Sequence, residues 1–177
     1  MVNGFYKEFL KVVSNLNPNS IVDAACGEGF TLDRLDKAGY KDQVVGFDGS
    51  LVAINLGKAL FPQLSLFVAN TYQIPCEDNS FDLVVCTEAL EHMKHPDTAL
   101  HEMKRISRRH LLLSVPNEPF FSLKNLVVGR NVKRWGSSKG HINWWTSQAF
   151  ERMVAEQGLT PKYISHPFPF TLLLAEK

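Results

Sequence analysis

The chain has 177 residues, of which 45% are hydrophobic and 21% charged, with a formal net charge of +1. That length fits one domain with a sizeable core, and the near-neutral charge gives the whole molecule no strong field for nucleic acid or membranes. Three cysteines, Cys26, Cys76 and Cys86, are odd in number and form no C-x-x-C pair, which argues against a disulfide framework or a cysteine zinc site and for a reducing compartment. No run approaches the roughly 20 apolar residues of a spanning helix. The amphipathic start, with Lys7 and Glu8, is not a signal peptide, so the expected location is cytoplasmic, with no transmembrane segment.

Phe5, Phe9, Val12, Val13 and Leu16 recur at helical spacing, predicting a helix over about 3–16 that Asn17-Pro18-Asn19-Ser20 stops. Ser20 to Ala25 reads as a strand. It runs into a glycine turn, Cys26-Gly27-Glu28-Gly29, and a helix with Leu32, Leu35 and Ala38 that ends near Gly39. Gln43 to Asp48 is a second strand ending on an acid, and Ser50 is placed to cap a helix whose apolar face is Val52, Leu56, Ala59 and Leu60. Leu64 to Ala69 is a third strand, followed by a polar loop over 70–80. Phe81 to Thr87 is a near-continuous apolar run, as expected for a strand covered on both faces. A helix over about Pro96 to Arg105, with Leu100, Met103 and Ile106 inward, leads to a fifth strand, His110 to Val115. Thr146 can cap a helix with Phe150, Met153 and Val154 inward, closed by Gly158. Leu159 to His166 and Phe168 to Leu174 then form a closing pair of strands.

Strand and helix alternate five times, which predicts a doubly wound α/β fold with a mostly parallel sheet. Ligands of such folds bind beyond the carboxyl ends of the strands, where Asp23, Asp48 and the residues after strand four fall. Residues 116–145 break the alternation. They hold three glycines and two prolines without a clear period, and read as a lid or substrate insertion within one domain spanning 1–177. Glu118 is the only acid there, whereas Lys124, Arg130, Lys133, Arg134 and Lys139 are basic.

A constellation emerges on one edge: Asp23-Ala24-Ala25-Cys26-Gly27-Glu28-Gly29, Gly46-Phe47-Asp48, Ile74-Pro75 before Asn79-Ser80-Phe81-Asp82, and Glu88-Ala89-Leu90-Glu91-His92. This set resembles the class I S-adenosylmethionine-dependent methyltransferases over nearly the whole chain. The resemblance implies a Rossmann-like seven-stranded sheet of order 3-2-1-4-5-7-6, with an antiparallel last strand, in a three-layer sandwich. It implies S-adenosyl-L-methionine as cofactor. Ala25, Cys26, Gly27 and Gly29 would lie against its methionine part, and Asp23 would organise the loop or meet the amino group. Asp48, with Gly49 beside it, would accept from both ribose hydroxyls, since a carboxylate offers two acceptor oxygens to two donors. Asn70 and Thr71 would read the adenine edge, and Thr87 would line the floor by the sulfonium. Relatives more often have a glycine where Ala25 stands; alanine is small enough to substitute for it. They often have an acid where Asn70 stands. A dinucleotide is disfavoured, because G-x-G-x-x-G would need a glycine at Leu32.

Transfer to a hydroxyl benefits from a base, because a neutral oxygen is a poor nucleophile. Glu88, Glu91 and His92, at i, i+3 and i+4, would share one face of a short helical turn; with His141 they make two carboxylates and two imidazoles. Glu88, His92 and His141 are the candidate catalytic residues, and no resident metal is assigned. The same four residues, with Pro116-Asn117 after strand five, also resemble the family that methylates the 2′-hydroxyl of small-RNA 3′ ends, where such residues hold a divalent cation. Base, metal-ligand and structural roles all stay open at this level.

The run from Leu113 to Phe120, the basic segment, Gly140 to Thr146 and Pro167 to Thr171 resemble a bacterial and archaeal branch with many relatives among sugar- and lipid-modifying enzymes. The basic run with Trp135, Trp144 and Trp145 would suit an anionic, partly apolar acceptor. Three functions follow: transfer to a small or lipid-linked acceptor at oxygen, transfer to nucleic acid, or a non-catalytic cofactor-binding partner subunit. The sequence assigns no oligomeric state.

Overall fold

The alternation of apolar strands and amphipathic helices folds into one seven-stranded sheet between two helical layers. The computed structural model describes residues 2–41, 44–131, 133, 135, 136, 138 and 140–177, the side chains of Val2 and Asn3 excepted. The predicted sites at Gln43, Arg134 and Lys139 lie outside the described residues. In chain order the elements are α1 (Val2–Leu16), β1 (Ile21–Ala24), α2 (Phe30–Lys37), β2 (Val44–Asp48), α3 (Leu51–Leu60), β3 (Ser65–Val68), β4 (Phe81–Thr87), a short 3-10 turn (Leu90–His92), α4 (Pro96–Ile106), β5 (Ser107–Pro116), α5 (Phe120–Val127), α6 (Ser147–Glu156), β6 (Thr160–Ser165) and β7 (Phe170–Glu176).

The sheet order is β3-β2-β1-β4-β5-β7-β6. Strands β1 to β5 pair in parallel, and β7 runs antiparallel to both β5 and β6. The expected strand order and antiparallel closing strand are both present. Period-two alternation divides the side chains between two cores. Along β4, Val84 and Cys86 join the core under α4 and α6, with Met103, Ile106, Phe150 and Val154. Leu83 and Val85 join the core under α1, α2 and α3, with Phe9, Val13, Leu35 and Ile54. Burial on both faces explains why β4 reads as an unbroken apolar run.

One expectation needs correction. The face of α3 formed by Val52, Leu56, Ala59 and Leu60 is exposed; the helix instead buries Ile54 and Gly57. The cause is close approach. A Cβ on Gly57 would stand 2.6 Å from the Glu28 carbonyl oxygen and 2.7 Å from a Leu66 methyl, so the missing side chain marks the packed face. The 116–145 segment contains α5. No helix among the described residues is long and apolar enough to cross a membrane.

Candidate functional site

At the carboxyl end of β1 the chain must turn over residues 25–29 to feed α2. Ala25 takes φ +99, Gly27 φ +54 and Gly29 φ +88. The turn is fastened to the neighbouring strand, because Ala25 N and Cys26 N both donate to the Phe47 carbonyl at 2.7 and 2.9 Å. The Asp48 carboxylate completes it, accepting from Gly27 N at 2.9 Å on one oxygen and from Ser50 N at 2.8 Å on the other. Ser50 then caps α3, as expected, by accepting from Ala53 N.

The glycines do different things. A Cβ on Gly27 would meet nothing within 4 Å, so its backbone lies open; one on Gly29 would meet the Leu64 and Leu66 methyls at 3.3 Å, so that glycine allows packing. Ala25 occupies a left-handed conformation that alanine adopts only at a cost, so backbone conformation, not side-chain size, distinguishes it from glycine there.

A cavity of about 370 Å³ opens in front of this turn, lined by Ala25, Cys26, Gly27 and Thr87, with Glu88, Phe5, Tyr6, Thr31 and Phe170 closing it. Asp23 lies buried, with Oδ1 lacking a partner among the described residues. Burial, and secondarily the Asp48 charge, push its carboxyl up to about 8. Burial likewise raises the Cys26 thiol, which fits a packing role rather than a reactive one. Asn70 and Thr71 are not in the cavity lining. They follow Ala69, whose N–H donates to the Asp48 carbonyl at 3.0 Å, and the Asn70 side chain accepts from Tyr72 N. They therefore sit on the same edge beyond Asp48 and Gly49.

Two contributors went unrecognised in the sequence. Tyr6 Oη and Thr31 Oγ1 are 3.2 Å apart, and Thr31 Oγ1 is 3.2 Å from Thr87 Oγ1. This hydroxyl chain links α1, α2 and β4 along the cavity. Tyr6 reads as one more apolar-face residue of α1, so only its hydroxyl could have signalled the role.

Beyond β4, Glu88 has φ +55 and precedes the 3-10 turn, so it does not share the face of Glu91 and His92 as the spacing suggested. Its carboxylate accepts from Ser114 Oγ at 2.8 Å, and Ser114 is the register partner of Thr87. Burial raises both Glu88 and Glu91 above the ordinary carboxylate range, and their mutual proximity adds to it at Glu88.

His141 arrives from far along the chain. Ile142 N and Asn143 N both donate to the Glu91 carbonyl, and Asn143 Nδ2 donates to the carbonyls of Leu90 and Met93. Gly140 permits the approach, since a Cβ there would stand 3.2 Å from His92 Nδ1. The His92 and His141 rings lie 4.9 Å apart at 74°. One ligand atom each from Glu91, His92 and His141 falls within 4.8 Å of the others, and Glu91 Oε2 is buried without a partner among the described residues. Glu88 is not part of this group. Burial, and then His92, lower the His141 pKa, which keeps its imidazole neutral and able to accept a proton.

An acid-capped glycine turn, an open backbone in front of it and ionisable groups after β4 all meet at one sheet edge, and a methyltransferase-domain family model matches residues 2–163. The chain belongs to that family. It is a class I, Rossmann-like member, and S-adenosyl-L-methionine is its cofactor. A probable S-adenosylmethionine-dependent methyltransferase of Mycobacterium tuberculosis is 28% identical over 126 residues, covering 68% of this chain and 45% of that one. The ubiquinone biosynthesis O-methyltransferase of Alkalilimnicola ehrlichii is 24% identical over 178 residues, covering 90% of this chain and 71% of the relative. The methyltransferase domain of bacterial CtHen1 has the same fold, with a TM-score of 0.77, 19% identity and 98% coverage of both chains. This chain spans less than half the length of its mycobacterial relative.

Proposed function

We propose that this methyltransferase-domain chain transfers a methyl group to an oxygen of a small or lipid-linked acceptor. The observation that carries the reading is the cavity that brings the open Gly27 backbone together with Thr87 and Glu88, with the His92–His141 pair reached from its wall residue Phe170 through the Phe121 ring. The cofactor supplies an electrophilic methyl on a sulfonium, so the protein's task is alignment, exclusion of water and proton removal.

The residues fit the cofactor. Gly27 offers bare backbone to the methionine part, with Ala25, Cys26 and Gly29 shaping the turn. The unpartnered Asp23 Oδ1 suits an ammonium group, and each Asp48 oxygen keeps a lone pair free for a ribose hydroxyl beyond its N–H partner. Asn70 and Thr71 take the adenine edge, and Thr87 the floor. On the acceptor side, neutral His141 takes the hydroxyl proton as the acceptor oxygen forms its bond to the methyl carbon and the carbon–sulfur bond breaks. Glu88, held by Ser114, and His92 orient the acceptor. The 116–145 segment, within a single domain, supplies the acceptor-side wall. The O-methyltransferase named among the relatives supports oxygen as the target.

The test is transfer of labelled methyl into a cell extract separated into lipid, RNA, protein and small-molecule fractions. Label in the lipid or small-molecule fraction is expected. Label confined to RNA would replace this reading with the second one below, and cofactor binding with no transfer would support a partner-subunit role.

One observation favours the second reading, an RNA 2′-hydroxyl methyltransferase with a metal at the acceptor side: Glu91, His92 and His141 converge, and Glu91 Oε2 lacks a partner. Two imidazoles and a carboxylate suit a transition-metal ion better than magnesium. Titration with Mn²⁺ followed by calorimetry separates the readings: no binding by the intact chain, and activity untouched by a chelator, would remove the metal.

A further inference from the structure

Helix α5 packs Phe121 inward against His141 and Phe170 but leaves a second apolar face in solvent. A helix on a globular surface normally turns apolar side chains inward. Here the buried residue is Asn125, whose Nδ2 donates to the Gly136 carbonyl at 2.8 Å. Phe120, Leu123 and Val127, at i, i+3 and i+7, share the outward face, and Val127 is 79% exposed. Val128 extends that face, and Trp135 follows at 83% exposure.

The surroundings of this face are cationic. Lys124 lies beside it with its ammonium over the Phe121 ring, and Arg130 and Lys133 are exposed just beyond. Among the described residues none of the three takes part in an ion pair. The single acid of the segment, Glu118, is committed to the Ser122 N–H and hydroxyl at the start of α5. The face is thus apolar at its centre, basic at its rim and short of counter-charge.

We propose that this face of α5 docks onto an anionic lipid surface. Leu123, Val127 and Val128 enter the headgroup–acyl boundary, Arg130 and Lys133 meet the lipid phosphates, and Trp135 sits at the interface, where indoles are favoured. Phe120 and Trp135 offer π faces at the two ends, but the centre of the surface, Leu123, Val127 and Val128, is aliphatic and offers none on which bases stack, which favours lipid over RNA. The position of α5 agrees with this. Phe120, at its first turn, also lines a groove of about 600 Å³ with Ile164, Phe168 and Phe170, and Phe170 lines the cavity in front of the glycine turn as well. The docking face therefore borders the acceptor side, and the proposal holds whichever acceptor is methylated.

The test is flotation of the full chain with phosphatidylcholine vesicles, with and without about 30% phosphatidylglycerol. Binding to the anionic vesicles is expected to exceed that to neutral ones about tenfold or more, at about 1 kcal/mol per juxtamembrane cation. It should weaken as salt rises. The double variant Leu123→Glu/Val127→Glu should lose about tenfold or more of this binding, and Arg130→Ala/Lys133→Ala should remove the preference for the anionic lipid. Calorimetry with S-adenosyl-L-methionine serves as the fold control, because both pairs lie outside the glycine turn; unchanged affinity separates failure of docking from failure of the donor site. Equal binding to both vesicle types, or anionic binding indifferent to the Leu123/Val127 pair, overturns the proposal. So does an RNA shift, or a concentration-dependent dimer, that the same pair abolishes.

Discussion

The two halves of the site are built in opposite ways. On the proposed donor side, the turn after β1 is held by backbone N–H groups on the Phe47 carbonyl and by Asp48 at the end of the next strand, so its parts come from adjacent strands of one sheet. On the proposed acceptor side, His141 reaches Glu91 and His92 across about fifty residues, fastened by Asn143 to the carbonyls of Leu90 and Met93. A backbone-built site depends on conformation at single positions. A strapped site depends on a few long-range side-chain bonds, and it can change substrate while the donor half stays the same.

That contrast can be broken or sharpened in order of effect. Replacing His141 with alanine should lower methyl transfer about 10²–10⁴-fold while leaving cofactor affinity unchanged, as expected for loss of a base alone. A parallel fall in cofactor affinity, measured by calorimetry, would show that the halves are not separable. Asp48→Ala should weaken S-adenosyl-L-methionine binding about 10–100-fold, since it removes the charge-assisted bond to Gly27 N together with the bonds proposed to the ribose. Unaltered affinity would undercut the donor-side assignment.

Asp23 ties the donor half to pH. Its carboxyl sits near 8 in the fold against 3.8 when free, so the native chain keeps a proton that the unfolded chain releases. The stability this contributes is full below about pH 4 and declines as pH rises toward 8. Urea unfolding should find Asp23→Asn gaining about 2 kcal/mol on the wild type between pH 5 and 8, after allowance for relaxation around the charge. Equal pH slopes for the two proteins would mean that Asp23 is ionised in the fold.

On the acceptor half, Asn143→Ala should cost about 1–3 kcal/mol by leaving two carbonyls without their donor, seen as a lower urea midpoint with cofactor affinity retained. The smallest effect is expected at Ala25→Gly. Relief of φ +99 against the entropy of glycine leaves a net gain of about 0.5–1 kcal/mol. A loss of stability would mean that the alanine conformation is not strained.

Local patterns carried most of this information. The strand order followed from the resemblance, and β4 declared its two-sided burial through Leu83, Val84, Val85 and Cys86. The capping roles of Ser50 and Thr146 were legible because a cap is a contact across three residues. The inward face of α3 was not, because Gly57 packs by lacking a side chain and hydropathy registers only what is present. Glu88 was misplaced on one face with Glu91 because helical spacing presumes helical dihedrals, and φ +55 breaks them.

The sequence by itself determined the α/β fold class, since the alternation of strand and helix is short-range periodicity, while the strand order and the cofactor followed from the family resemblance of the residues at strand ends. Tertiary structure alone decided that Tyr6 and Thr31 join Thr87, that His141 meets His92 and Glu91, and that α5 leaves Leu123 and Val127 outward. Those outcomes depend on contacts between segments far apart in the chain, whose pairing no local pattern encodes.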